Sequence, residues 1–165
     1  MPSQNIKNCS RTIADKGLSI AFAESATAGR MCSEFSLTDY SGKILRGGIS
    51  CYEVLIKEKI MKVPHELIEK FTPESAEVTA SLAENAASIF ESDIAVAVTG
   101  LTTPGGSETK QKPVGTMFIH VVFPNSYVAH REVFSGSQEE IVEQTVERTA
   151  SLILEKLNSN QFNSK

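Results

Sequence analysis

The run DIAVAVTG at residues 93 to 100 is continuous, apolar and small, and it ends on a glycine. A stretch of this length without polar alternation reads as a strand covered on both faces. Such a strand needs helices above and below it, so the search is for amphipathic helical segments around it. Before it, TPES at 72 to 75 resembles a helix start, with Thr72 or Ser75 as cap and Glu74 near the positive end of the dipole. Ala76, Val78, Leu82, Ala86, Ile89 and Phe90 follow. After it come VGTMFIHVVF and SYVAHREVF, two β-rich runs split by Pro124-Asn125 and read as a hairpin.

The N-terminal half repeats the alternation. Ile6, Cys9, Ile13 and Ala14 mark a helix over about 3–16 that stops at Gly17, and Leu18 to Ala23 reads as a strand. A helix over about 27–37 buries Met31, Cys32, Phe35 and Leu37, and DYSG at 39 to 42 is a loop. Gly47-Gly48 opens a strand ISCYE, Val54 to Val63 returns to helical spacing, and a short helix follows Pro64. The final helix runs from about Gln138 to Leu157, leaving NSNQFNSK as a frayed tail. Strands alternating with helices and ending in a hairpin predict an α/β fold, a three-layer α/β/α sandwich on a mixed sheet. The 165 residues suit one domain spanning 1–165.

The bulk chemistry narrows the partners. A net charge of -4 without a dense Lys/Arg cluster argues against nucleic acid. No apolar run approaches the roughly 20 residues that span a bilayer, and the N-terminus has no signal core, so no membrane partner is expected. Cys9, Cys32 and Cys51 are odd in number and lack CxxC spacing, which suggests neither a disulfide framework nor a zinc site and fits a reducing cytoplasm. No metal and no cofactor is expected.

In sheets of this kind sites gather beyond the carboxyl ends of strands, where AESATAG, YEVLIK and TGLTTPGG all fall. Ser25 sits where strand passes into helix. It reads either as a nucleophile beside free backbone N–H groups of the 26–29 turn or, with Thr27, as a helix cap. Glu24 also reads as a first-turn charge on the helix dipole. His65, His120 and His130 are poorly placed as partners for Ser25, which leaves a lysine made basic by burial; Lys57, Lys59 and Lys62 all qualify by composition. The TGLTTPGG loop offers many backbone donors and little bulk, as a ligand wall or as a plain connection.

Taken together, AESATAG, GGISCYEVLIK, AVAVTGLTTPGG, KPVGT and the FSG turn, in this order, resemble the CinA carboxy-terminal domain family over nearly the whole chain. The resemblance implies an α/β/α fold, a homodimer, and an amidohydrolase that converts nicotinamide mononucleotide to nicotinic acid mononucleotide and ammonia. It implies Ser25 as nucleophile, Lys57 as its base and Tyr52 as a group that orients or relays a proton. It further implies a substrate site built from Glu24, Ala26, Thr27, Ala28 and Gly29 of the first turn. Thr99, Gly100, Pro104, Gly105 and Gly106 of the loop, close to the family's TGIAGPGG, complete it. Several positions depart from the family pattern. ESATAG has Ala26 and Ala28 where ESCTGG has Cys and Gly, and Val54 replaces an asparagine. Gln138 and Val142 stand where arginines meet the substrate phosphate, with Arg30 the nearby residue that would supply charge instead. A second reading follows from those departures: a divergent paralogue that binds a nucleotide-like metabolite without turnover.

Overall fold

The computed structural model describes residues 1–159; the tail reading of 160–165 lies outside the described residues. Five strands form one sheet in the order β2-β1-β3-β4-β5. β1 (Ile20–Glu24) runs parallel to both β2 (Leu45–Ser50) and β3 (Ile94–Gly100), while β4 (Thr116–Phe123) and β5 (Ser126–Val133) add antiparallel. β3 is the central strand, and its alternation decides the layers. Ile94, Val96 and Val98 join the core under α1 (Gln4–Asp15), α2 (Arg30–Ser36), α3 (Ser41–Ile44) and α7 (Gln138–Asn158). Ala95 and Ala97 face the opposite core with α5 (His65–Phe71), α6 (Ala76–Phe90) and the segment after α4 (Val54–Lys59). This is the expected three-layer arrangement with a mixed sheet.

Where boundaries differ from the sequence reading, hydrogen bonding gives the reason. α1 ends in a Schellman motif: Gly17, at φ +67°, donates to Ala14 O and Leu18 N–H donates to Ile13 O. Leu18 therefore belongs to the helix cap, Ser19 is held by Asp93, and the strand begins at Ile20 rather than Leu18. The second strand is Leu45–Ser50, not 49–53. Gly47 and Gly48 lie inside it, opposite Ala21 and Phe22, with a register shift just before Gly47. A Cβ on Gly48 would come within 3.1 Å of the Cys32 Cβ, so the glycine lets α2 pack on the sheet. The predicted loop at 39–42 contains the start of α3. Of the two cap candidates before α6, Ser75 takes the role by accepting from Val78 N–H, and Thr72 terminates α5 instead.

The parallel strands β1, β2 and β3 end together at one edge of the sheet. Their exits carry Ser25, the Cys51–Tyr52 pair and Leu101, and these three exits position the site. None of the described helices is long and apolar enough to cross a membrane.

Candidate active site

Ser25 leaves β1 with its N–H on Val98 O, which fixes the residue against β3. The turn after it is organised by Glu24. That carboxylate is buried and accepts from Thr27 Oγ1 (2.6 Å), Gly29 N (3.0 Å), Met31 N (3.0 Å) and Cys32 N (2.8 Å). An internal anion thus occupies the start of α2 and satisfies the donors a helix leaves free there. Two N–H groups of the turn, those of Ala26 and Thr27, find no acceptor among the described residues. The Gly29 N–H is taken by Glu24 and the Ala28 N–H by Ser25 O, so of the 26–29 donors only the first two are open.

Lys57 comes from α4, which follows β2, the strand paired with β1. Its side chain is only 1% exposed and its Nζ lies 2.9 Å from Ser25 Oγ. The backbone carbonyls of Cys51 (2.7 Å) and Tyr52 (3.0 Å) complete its surroundings. These carbonyls are free for it because the chain turns out of the sheet after Ser50. Burial pushes the Lys57 amine below the ordinary lysine value, against the pull of the Glu74 and Glu53 carboxylates. The neighbouring Cys51 thiol adds no negative charge near neutrality, since its own burial pushes it up to about 11.

The three oxygens around Nζ can be met by either form of the amine. An ammonium has three N–H donors and would give one to each of the three oxygens. A neutral amine has two N–H groups and one lone pair. With the two carbonyls taking the N–H groups, the lone pair is left facing Ser25 Oγ, and the hydroxyl becomes the donor. In that form the carbonyl pair fixes which way the lone pair points.

Above the pair lies a cleft of about 210 Å³, bordered by Ser25, Ala26, Tyr52, Glu74 and residues 100 to 106 of the loop after β3. The loop is fastened from outside. Lys112 Nζ donates to Thr72 Oγ1 (2.8 Å), Glu74 O (2.9 Å) and Ser107 Oγ (2.8 Å), and Ser107 donates to the Glu74 carboxylate. Gly100 and Gly106 are needed for the fit. A Cβ on Gly100 would lie 2.6 Å from Thr116 O, and one on Gly106 would lie 2.8 Å from Leu101 Cδ2.

The residues singled out in the sequence are thus sorted by position. Ser25, Ala26, Tyr52, Gly100, Pro104, Gly105 and Gly106 border the cleft, with Lys57 beneath Ser25. Tyr52 holds Lys57 through its carbonyl, while its side chain is 62% exposed at the rim. Glu24, Thr27, Ala28 and Gly29 build the turn without bordering the cleft. Thr99 is buried, its hydroxyl paired with Thr79 on α6. Arg30 is not brought to the site: it pairs with Glu34 and Glu143 and borders a separate cavity beside α1 and α7. Gln138 reaches the loop at Thr102 Oγ1 (3.3 Å), and Val142 packs against the core. Leu101, Thr102 and Thr103 border the cleft as part of the loop read as a wall, though not singled out by residue; sequence reasoning misses the Cys51 carbonyl and the cleft role of Glu74, whose position after Thr72-Pro73 reads as a helix start. Among the described residues, no group of three or more His, Cys, Asp or Glu is placed to hold a metal ion.

A family model for the CinA C-terminal domain matches residues 3–157. CinA-like proteins from Prochlorococcus marinus subsp. pastoris and Thermosipho melanesiensis are similar, at 34% identity over 124 residues and 32% over 140. Those matches take in 74% and 84% of this chain but 28% and 35% of the relatives, so the chain spans about a third of their length. Among solved structures, a CinA superfamily protein from Klebsiella pneumoniae has a TM-score of 0.89 at 22% identity, covering 93% of this chain and 96% of its own. A competence/damage inducible protein from Agrobacterium tumefaciens has 0.87 at 25%, covering 96% and 99%.

Proposed function

The chain belongs to the CinA C-terminal domain family, and from that premise we propose that it is an amidohydrolase that cleaves the carboxamide of a pyridine compound through a Ser25/Lys57 pair. The substrate the resemblance implies is nicotinamide mononucleotide, giving nicotinic acid mononucleotide and ammonia. The observation that carries this reading is the buried Lys57 Nζ at 2.9 Å from Ser25 Oγ, held by two carbonyls.

Neutral Lys57 takes the hydroxyl proton as Ser25 Oγ bonds to the carboxamide carbon. The carbonyl oxygen becomes an oxyanion, and the open N–H groups of Ala26 and Thr27 are its candidate donors. Lys57, now an ammonium, passes its proton to the amide nitrogen; the C–N bond breaks and ammonia leaves. Water then attacks the acyl-Ser25 ester, giving one proton to Lys57, and the collapse of that intermediate returns the proton to Ser25 Oγ. The acid is released and both side chains regain their starting state. Tyr52 at the rim would orient the ring.

The test is ammonia release from a panel of pyridine carboxamides that includes nicotinamide mononucleotide. Ser25→Ala and Lys57→Met should each lower turnover on the order of 10³-fold or more while the protein stays folded. Unchanged turnover in Ser25→Ala would refute the assignment.

A further inference from the structure

The loop that walls the cleft is tied down at its ends by the sheet, Leu101 N–H donating to Thr116 O (3.0 Å) and Gly115 N–H to Leu101 O (2.7 Å). Between those ends Gln138 reaches Thr102, and Arg131 of β5 donates to Gln111 O. A further tie is Lys112, and its three acceptors belong to two separate pieces of chain: Thr72 and Glu74 of the turn between α5 and α6, and Ser107 of the loop itself. Glu74 and residues 100 to 106 both border the cleft, whereas Lys112 does not. The lysine thus joins two parts of the wall from behind.

The hydrogen count fixes the charge this tie requires. Thr72 Oγ1 gives its own hydrogen to Glu74 O (3.3 Å), and Ser107 Oγ gives its own to the Glu74 carboxylate. Both hydroxyls can then only accept from Lys112, and the Glu74 carbonyl has no hydrogen to offer. Three acceptors need three N–H groups, which an ammonium has and a neutral amine lacks. Burial pushes the Lys112 amine below the ordinary lysine value, and the Glu74 carboxylate pulls it back towards the charged form. Lys57 is the opposite case, because the Ser25 hydroxyl facing it still has a hydrogen to give.

Thr72 supplies an independent observation. Its backbone lies at φ +69° and ψ 157°, a region that glycine enters freely and a β-branched residue avoids. Glycine would relieve the strain but would offer Lys112 no oxygen. The strain is carried at the residue whose side chain the tie uses, as is common where a ligand is clamped.

We propose that Lys112 is a positioning residue for the hydrolysis: its ammonium holds the Glu74 turn and the loop as one wall, on which capture of the carboxamide depends. This rests on the amidohydrolase reading and adds to it a residue remote from the reacting atoms. Without the tie the wall is formed for only part of the time, and apparent affinity falls by that fraction. The Ser25/Lys57 pair, held by β1, β3 and α4, stays as it is.

Lys112→Met keeps the length of the side chain and removes its donors. For the best carboxamide of the panel, KM should rise about tenfold or more while kcat stays within about threefold. Labelling of Ser25 by a small fluorophosphonate should also stay within about threefold, and amide hydrogen exchange over residues 101–107 should quicken. Thr72→Gly is the second variant and makes the same test should Lys112→Met not fold. Relief of strain holds its melting temperature at or near that of the unmodified protein, yet loss of the hydroxyl raises KM. A role confined to stability would move KM only together with the melt, and that result overturns the proposal. Unchanged KM and unchanged exchange in Lys112→Met also overturn it, as does labelling that slows in step with kcat, which would place the effect on the pair. No ammonia from any carboxamide with the unmodified chain overturns the hydrolase reading and the positioning role with it, a result distinct from ammonia release with KM unmoved.

Discussion

Replacing Glu24 by glutamine keeps the shape of the side chain and removes its ability to accept at both ends. In the native turn Oε2 accepts from Thr27 Oγ1, Gly29 N and Met31 N, and Oε1 accepts from Cys32 N. A glutamine can turn its carbonyl to the first three donors, but its NH₂ then faces the Cys32 N–H, donor against donor. One hydrogen bond to a charged acceptor is lost, worth about 1.5–3 kcal/mol, and a part-buried N–H is left without a partner. The remaining three bonds weaken as the charge at the helix start disappears. An amide is cheaper to bury than a carboxylate, which offsets part of this. The net expectation is a loss of about 2–4 kcal/mol. For a chain of this size that corresponds to a melting temperature lower by roughly 4–15 °C. Thermal unfolding followed by circular dichroism reads the shift, and ammonia release should fall because the same turn carries Ser25. A Glu24→Gln protein that melts within about 1 °C of the unmodified chain would refute the idea that this internal anion organises the turn.

Lys57→Met should abolish turnover and also change how stability responds to pH. The native Lys57 value lies below the ordinary 10.5, so between the two the folded protein binds fewer protons than the unfolded chain and its stability rises with pH. Urea midpoints taken from pH 7 upward should show that rise flattened in the methionine variant. Ala28 has φ +49°, a left-handed conformation that an L residue adopts at some cost. Ala28→Gly should raise stability by about 0.5–1 kcal/mol, after the greater flexibility of unfolded glycine is subtracted, visible as a melt higher by a few degrees. Gly100→Ala puts a Cβ 2.3 Å from Met117 Sδ and 2.6 Å from Thr116 O. The sulfur can swing aside and the carbonyl cannot, so a loss of about 1–3 kcal/mol is expected in denaturant titration.

The features legible in the sequence are those set by local pattern. The central strand at 93–100, the capped helix after Ser75 and the hairpin at Pro124-Asn125 follow from hydrophobic periodicity and turn chemistry, and they stand within a residue or two of their expected places. The second strand was misplaced because Gly47 and Gly48, which punctuate by default, here serve a register shift and the approach of α2. Glu24 shows the same limit from another side. Next to a helix start it reads as a first-turn charge on the dipole, whereas its four partners lie three to eight residues ahead and become visible only once the turn is folded.

For the candidate site, three lysines in YEVLIKEKIMKV were equivalent by composition, and motif resemblance alone favoured Lys57. The separation of 32 positions from Ser25 to Lys57 is closed by the parallel pairing of β1 with β2, a long-range event that no local spacing encodes. The two carbonyls that aim the amine have no sequence signal at all, since every residue carries one. Glu74 carried a signal, but its helix-start position explained it before its place in the cleft could.

The claim on which the mechanism depends is that Lys57 is uncharged often enough near neutrality to take the proton of Ser25. The most direct measurement is the rate at which a fluorophosphonate labels Ser25, followed by intact-protein mass and peptide mapping across a pH series, which requires no knowledge of the substrate. The account predicts a single adduct on Ser25 that forms faster with rising pH, inflects well below 10.5, and is lost in Lys57→Met. An unlabelled Ser25, or a rate that climbs only near the ordinary lysine value, would contradict it.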